Sequence, residues 1–218
     1  MEKTKRALIT WGGWEGHEPE QCALIFRDIL EEKGYKVTVA DKLDCYTDAD
    51  LMNSLDLIVP VWTMSKLEKE QWEGLRDTVR KGCGIAGWHG GMGDSFRDNP
   101  DYQFMVGGQW VAHPGNIIDH TVQICSEDPI VQGISEISLK SEQYYMHVDP
   151  GNEVLATTIF KGDQDGMDWI AGTVMPVVWK RRYGKARVFY SSMGHVASDF
   201  DFPGVKEIMT RGMLWATR

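Results

Sequence analysis

Cysteine is sparse and scattered. The four cysteines, Cys22, Cys45, Cys83 and Cys125, form no C-x-x-C pair, which argues against a disulfide-stapled scaffold and against the common thiolate zinc motifs. The opening residues, MEKTKRALIT, carry no signal-like apolar run and enter a strand almost at once, and no stretch reads as a transmembrane span. The expectation is a cytoplasmic protein with reduced thiols, each filling a small core position. Positive charge is also short. Against 32 Asp+Glu stand 23 Lys+Arg, a net charge of -9. Nucleic acid and anionic membrane surfaces reward clustered positive charge, so neither is expected as a partner, and a neutral or cationic small ligand fits better. No repeat, low-complexity tract or linker divides the 218 residues, so a single domain, 1–218, is expected.

Phosphate-binding loops are missing too. No G-x-x-x-x-G-K-[ST] occurs. GCGIAG, Gly82 to Gly87, matches G-x-G-x-x-G, but its glycines precede and occupy a strand, whereas a dinucleotide loop must follow a strand and open a helix. No nucleotide site is expected.

What is present is an alternation of strands and helices. Arg6 to Trp11, Tyr35 to Ala40, Leu55 to Val61 and Cys83 to Trp88 read as strands; Pro19 to Lys33 and Lys66 to Lys81 carry apolar residues at helical spacing. This rhythm predicts a mostly parallel sheet covered on both faces. Gly91 to Gly115 breaks it with an irregular excursion holding at most short helices. Its length marks it as functional or disordered, and its aromatics argue against disorder. Ile117 to Cys125, Glu153 to Phe160, Thr173 to Trp179 and Ala186 to Ser191 are further strand candidates, including antiparallel additions at a sheet edge. Pro203 to Ala216 closes the chain as a helix, with Val205, Ile208, Met209, Met213 and Trp215 on its buried face.

Ligands of open α/β sheets sit beyond the carboxyl ends of the parallel strands. Three of the six histidines fall there, each beside a glycine: His17 after the first strand, His89 after the fourth, His195 after the last. A lone histidine would be read as structural; three on one ligand-binding edge point to a site. The stretch IAGWHGGMGDSF follows the strand, sharp turn, helix pattern of a nucleophile elbow, yet its corner holds no thiol or hydroxyl. Cys83 lies six positions before His89, and Ser95 belongs to the following segment. Acyl-enzyme chemistry is therefore disfavoured, and general acid/base work or metal ligation by His89 is favoured. Asp94, after the elbow, and Glu142, in SEQYYMH beside Tyr144, are the carboxylates whose setting lifts them above the acidic background. A divalent metal, zinc or manganese, held by some of His17, His89, His195 and Glu142 is a variant of this reading. Among nine tryptophans, Trp72, Trp179 and Trp215 are assigned to the core. Trp11, Trp14, Trp62, Trp88 and Trp110 lie near strand ends or in the irregular loop, and flat rings there suit a sugar face.

Four segments, GWHGGMGDSF, GGQWVAHPG, SEQYYMH and PVVWKRRYGKARVFYSSMGH, carry a resemblance that spans nearly the whole chain. On them the sequence resembles the trehalose-utilisation, or ThuA-like, family within the class I glutamine amidotransferase-like fold. The resemblance implies a flavodoxin-like three-layer sandwich whose amidotransferase relatives use an elbow cysteine, replaced in this family, and it places Trp88 where those relatives keep the thiol. It implies catabolism of trehalose and related disaccharides, alongside a dehydrogenase that makes 3-keto sugars. By motif it marks His89, Asp94, His113, Glu142 and His195, and the Gly-Gly after the elbow histidine departs from many members. The expected function is acid/base isomerisation, elimination or hydrolysis of a 3-keto sugar, with His89, Glu142, His195 and Asp94 catalytic. His17, Trp14, Trp62, Trp88, Trp110, His113 and Tyr144 are expected to bind substrate. The alternative is a non-catalytic carbohydrate-binding or complex-forming module. An ammonia-producing glutaminase is disfavoured by the missing thiol, and a homo-oligomer is compatible with the sequence.

Overall fold

A computed structural model describes residues 4–218. Eleven strands and six α-helices follow one another in it. The first half is β1 (Arg6–Gly13), α1 (Pro19–Glu32), β2 (Lys36–Ala40), α2 (Ala49–Ser54), β3 (Leu57–Thr63), α3 (Lys69–Arg80), β4 (Gly84–Trp88), α4 (His89–Gly93) and α5 (Pro100–Val106). The second half is β5 (Gly108–Ala112), β6 (Ile117–Ile124), β7 (Glu136–Glu142), β8 (Tyr145–Val148), β9 (Glu153–Ile159), β10 (Val174–Tyr183), β11 (Ala186–Ser191) and α6 (Val205–Ala216).

Nine strands form one sheet in the order β2-β1-β3-β4-β11-β10-β9-β6-β7. The first five neighbours pair in parallel, and β10, β9, β6 and β7 extend the sheet with antiparallel pairs. Parallel strands must be covered on both faces, and the sequence supplies two apolar sets accordingly. One core gathers Phe26, Trp88, Phe200, Ile208 and Met213 on the α1 and α6 side. The other gathers Trp72, Leu75, Tyr102, Trp179 and Tyr190 on the α3 and α5 side. The result is the expected three-layer α/β sandwich with antiparallel edge additions.

Helix boundaries follow local chemistry. Pro19 opens α1 at a position needing no backbone N–H, and a reciprocal Glu68–Gln71 capping box opens α3. Asn99 caps α5 by accepting from the Tyr102 N–H at 3.0 Å. The last helix starts at Val205, not at Pro203, because Gly204 at φ 91° turns the chain into it.

Three other expectations need correction. The excursion between Gly91 and Gly115 holds a strand, β5, which pairs with β8 in a small separate sheet. The acidic-aromatic segment, given no secondary structure from the sequence, belongs to β7 and β8; along β7, Ile137 and Leu139 are buried and alternate with exposed polar residues. Of the cysteines, only Cys22 and Cys83 are buried; Cys45 is half-buried and Cys125 exposed. Trp72 and Trp179 are core residues as expected, but Trp215 is half-covered, lying beneath the side chains of Lys180 and Arg187. Among the described residues no helix is long and apolar enough to cross a membrane.

Candidate active site

In the sheet order β1 lies between β2 and β3, so the chain reverses direction across the sheet there and opens a crevice beyond the strand ends. The site sits at that edge. His17 ends a short 3-10 turn, Glu15–His17, after β1, and its Nδ1 shares a 2.7 Å hydrogen bond with Thr63 Oγ1 at the end of β3. His89 follows β4 directly and has φ 44°, a left-handed conformation that a bulky residue adopts only under constraint. The corner of the elbow is thus His89. Trp88 is not a substrate residue: its ring packs on Phe26 and Phe200, and the residue is 2% exposed. Side chains alternate along a strand, so the residue before the corner faces the α1 core while the corner itself faces the crevice.

Four contacts hold His89 in place. Its Nδ1 donates to the Ser192 carbonyl at 2.8 Å, and Tyr190 Oη donates to the His89 carbonyl at 2.9 Å. Tyr144 stacks on its ring at 3.9 Å between centroids, and Glu142 Oε2 lies 3.1 Å from its Nε2. His195 brings Nδ1 to 3.3 Å from the same Nε2 and 3.4 Å from Glu142 Oε2. Asp199 anchors the His195 segment by accepting from its backbone N–H at 2.9 Å. His17 crosses both partners edge-on, with ring centroids 4.8 Å from His89 and 5.1 Å from His195.

The Gly-Gly of the elbow has a steric role. A Cβ at Gly90 would lie 2.4 Å from His17 Cε1, and one at Gly91 would lie 3.0 Å from the Val61 Cα. Glycine at 90 is therefore what lets His17 reach the cluster.

Burial, reinforced by the facing His89 and His195, holds the His17 imidazole down to about 2. Burial likewise lowers His89, outweighing the pull of Glu142. For Glu142 burial works the other way, and hydrogen bonds and charge from His195 and His89 overcome it, leaving the carboxyl well below its usual range. The buried centre thus favours an ionised Glu142 carboxylate and disfavours the charged forms of His17 and His89. His113 stands just outside, with Nε2 3.8 Å from Glu142 Oε1, and its side chain is 30% exposed. His17, His89, Glu142 and His195 form a possible metal-ligand group, with their ligand atoms all within 4.8 Å of one another.

The remaining candidates frame this centre. Trp14 is 46% exposed and leans on His17 at 4.6 Å and on His195 at 6.5 Å. Trp110 lies 5.4 Å from His113 and 6.2 Å from Tyr144. Asp94 is gripped by the Arg97 fork through bonds of 2.6 and 2.7 Å, and Arg97 lies over Trp110. Asp94 thus serves a wall of the site, and Arg97 is a member of that wall which the sequence reading missed; its spacing of three from Asp94 on the segment after the elbow was the available signal. Trp62 is set back across Gly12, with its Nε1 donating to Ser65 at 2.9 Å. A groove of about 850 Å³ lies beside the centre rather than on it. Pro114 and Gln143, next to His113 and Glu142 in the chain, line it together with Asp119, Thr121 and Lys140.

The family model described as ThuA, trehalose utilisation, matches residues 6–216. The chain belongs to the ThuA family. A ThuA-like protein from Bacteroides uniformis superposes with a TM-score of 0.79 at 17% identity, covering 99% of this chain and 93% of that one. A ThuA-like protein from Parabacteroides merdae superposes with a TM-score of 0.77 at 16% identity, covering 98% and 90%. A β-galactosidase from Bacillus circulans shares the fold with a TM-score of 0.59 at 13% identity; 98% of this chain aligns to 30% of that enzyme. No curated protein matches the sequence significantly. Membership gives this ThuA chain a carbohydrate-related role and the class I glutamine amidotransferase-like fold, with His89 at the corner of its elbow.

Proposed function

We propose that this ThuA protein is a carbohydrate-catabolic enzyme that moves a proton next to the carbonyl of an oxidised sugar or disaccharide, in its 3-keto form. The observation carrying this reading is the buried cluster of His89, His195, His17 and Glu142 at the strand ends, with Trp14 exposed on one side and Trp110 with His113 on the other. A ketone at C3 acidifies the neighbouring C–H bonds. Chemistry there needs a base for that proton and positive charge near the developing enolate oxygen. Glu142, which presents Oε1 to the accessible His113, is the proton acceptor in this scheme, His195 polarises the carbonyl oxygen, and His89 orients the carboxylate. Isomerisation, epimerisation and elimination of the aglycone all begin with this step. The exposed Trp14 ring is suited to stack on a sugar face, and the adjoining groove has room for a second ring. A sugar-oxidising dehydrogenase would supply the ketone.

The test is incubation with 3-keto trehalose and other 3-keto glycosides beside their unoxidised parents, with products read by NMR. Conversion of keto sugars alone is the expected result. No conversion of any of them, with binding retained, would favour a carbohydrate-binding module.

A further inference from the structure

Three ligand atoms meet where ordinary hydrogen bonding leaves them in conflict. The Ser192 carbonyl can only accept, so the 2.8 Å bond to it fixes the proton of His89 on Nδ1. A neutral His89 then turns a bare Nε2 lone pair toward a carboxylate oxygen, Glu142 Oε2, only 3.1 Å away. His195 Nδ1 closes the triangle at 3.3 and 3.4 Å. Even with a proton on His195 Nδ1, the His89 and Glu142 lone pairs still face each other, and a cation between them removes the repulsion. The spacing fits an ion: a tetrahedral zinc with bonds of about 2.0–2.1 Å separates its ligand atoms by roughly 3.3 Å.

We infer that a divalent transition-metal ion, zinc or manganese, is held by His89 Nε2, His195 Nδ1, Glu142 Oε2 and His17 Nε2. His17 Nδ1 is engaged by Thr63, which leaves Nε2 as its ligand atom and orients the ring. Outer partners of this kind are what metal-binding imidazoles require, and Ser192 and Thr63 supply them for His89 and His17. Neutral imidazoles with one carboxylate are the protonation states that ligation needs. Set into the sugar-acting site, the ion is the positive charge at the carbonyl oxygen. Its presence is nevertheless independent of which sugar, if any, is turned over.

The experiment is elemental analysis of untagged protein purified without chelator, followed by stripping and calorimetric titration with zinc, manganese or cobalt. About one equivalent of metal per chain is expected, with saturable rebinding and a cobalt absorption spectrum showing nitrogen ligation. Glu142→Gln and His195→Gln should each weaken binding tenfold or more, while His113→Gln, outside the donor set, should leave it intact. Should those variants fail to fold by circular dichroism, Thr63→Val provides the milder perturbation, with affinity reduced about 10- to 100-fold. Absence of saturable binding of all three metals to stripped wild-type protein would overturn the inference and leave a proton shared by His89 and Glu142. Unchanged affinity in folded Glu142→Gln would overturn the ligand set. A metal-loaded protein inert toward every 3-keto sugar would count against the sugar reading alone.

Discussion

Gly90 in α4 and His17 in the turn after β1 lie 73 positions apart in the chain, yet a single methyl group at residue 90 would overlap the His17 ring at 2.4 Å. The elbow is built around the histidine from the first strand as much as around its own.

Gly90→Ala should therefore push His17 out of the cluster. Overpacking of this kind costs about 1–3 kcal/mol, which corresponds to a Tm lower by roughly 3–10 °C for a chain of this size. Thermal unfolding checks the first effect and metal affinity the second. Wild-type values for both would mean that the loop has ample freedom to move.

Tyr190→Phe removes the hydroxyl that donates to the His89 carbonyl. Loss of a buried hydrogen bond costs about 0.5–1.5 kcal/mol, and the strained backbone at φ 44° loses a restraint. Lower stability together with slower turnover of a 3-keto sugar is expected. Loss of stability with kcat unchanged would confine Tyr190 to a structural role.

Thiol labelling at pH 8 should be selective. Burial pushes the Cys22 and Cys83 thiols up to about 12, whereas Cys125 is exposed. Iodoacetamide followed by peptide mass spectrometry should find Cys125 modified and Cys22 and Cys83 protected until the protein unfolds. Equal labelling of Cys22 or Cys83 in the native state would contradict the packing of the core.

Acid should destabilise the metal-stripped protein early. His17 is held near 2 in the fold against an ordinary histidine value of 6.5, first by burial and then by the facing His89 and His195. Between those values the unfolded chain binds a proton that the native state refuses. The stability linked to His17 is thus complete above pH 6.5 and declines as the pH falls below it, by at most about 1.4 kcal/mol per pH unit. Melting curves from pH 7.5 to 5 should show Tm dropping, and His17→Gln should flatten that slope. A wild-type Tm constant over this range would show that the cluster accepts protons freely.

Much of this site was legible in the sequence because α/β topology fixes where loops after parallel strands converge. His17, His89 and His195 each follow such a strand, and they meet. Glu142 is different: it reaches the cluster from β7, at the far edge of the antiparallel extension, where Ile137 and Leu139 alternate with exposed polar residues as a strand should, but the sequence reading assigns no strand there. Its role rests on its setting beside Tyr144 and on the resemblance, since a strand pattern alone does not say which sheet edge the strand joins. Trp88 shows the opposite failure, since proximity in the chain to the elbow said nothing about which way the strand turns its side chain. The grip of Arg97 on Asp94 had a local signal in their spacing of three, whereas the placing of Arg97 over Trp110 depends on how the segment after α4 folds back.

Proton movement beside a sugar carbonyl by the histidine–carboxylate cluster is open to direct measurement. Proton NMR of 3-keto trehalose in deuterated water, with wild-type protein and with Glu142→Gln, tests it most directly. Deuterium should appear at a carbon next to the ketone with wild type, and at least a hundredfold more slowly with Glu142→Gln. No incorporation above the buffer rate with fully metal-loaded wild-type protein would contradict it.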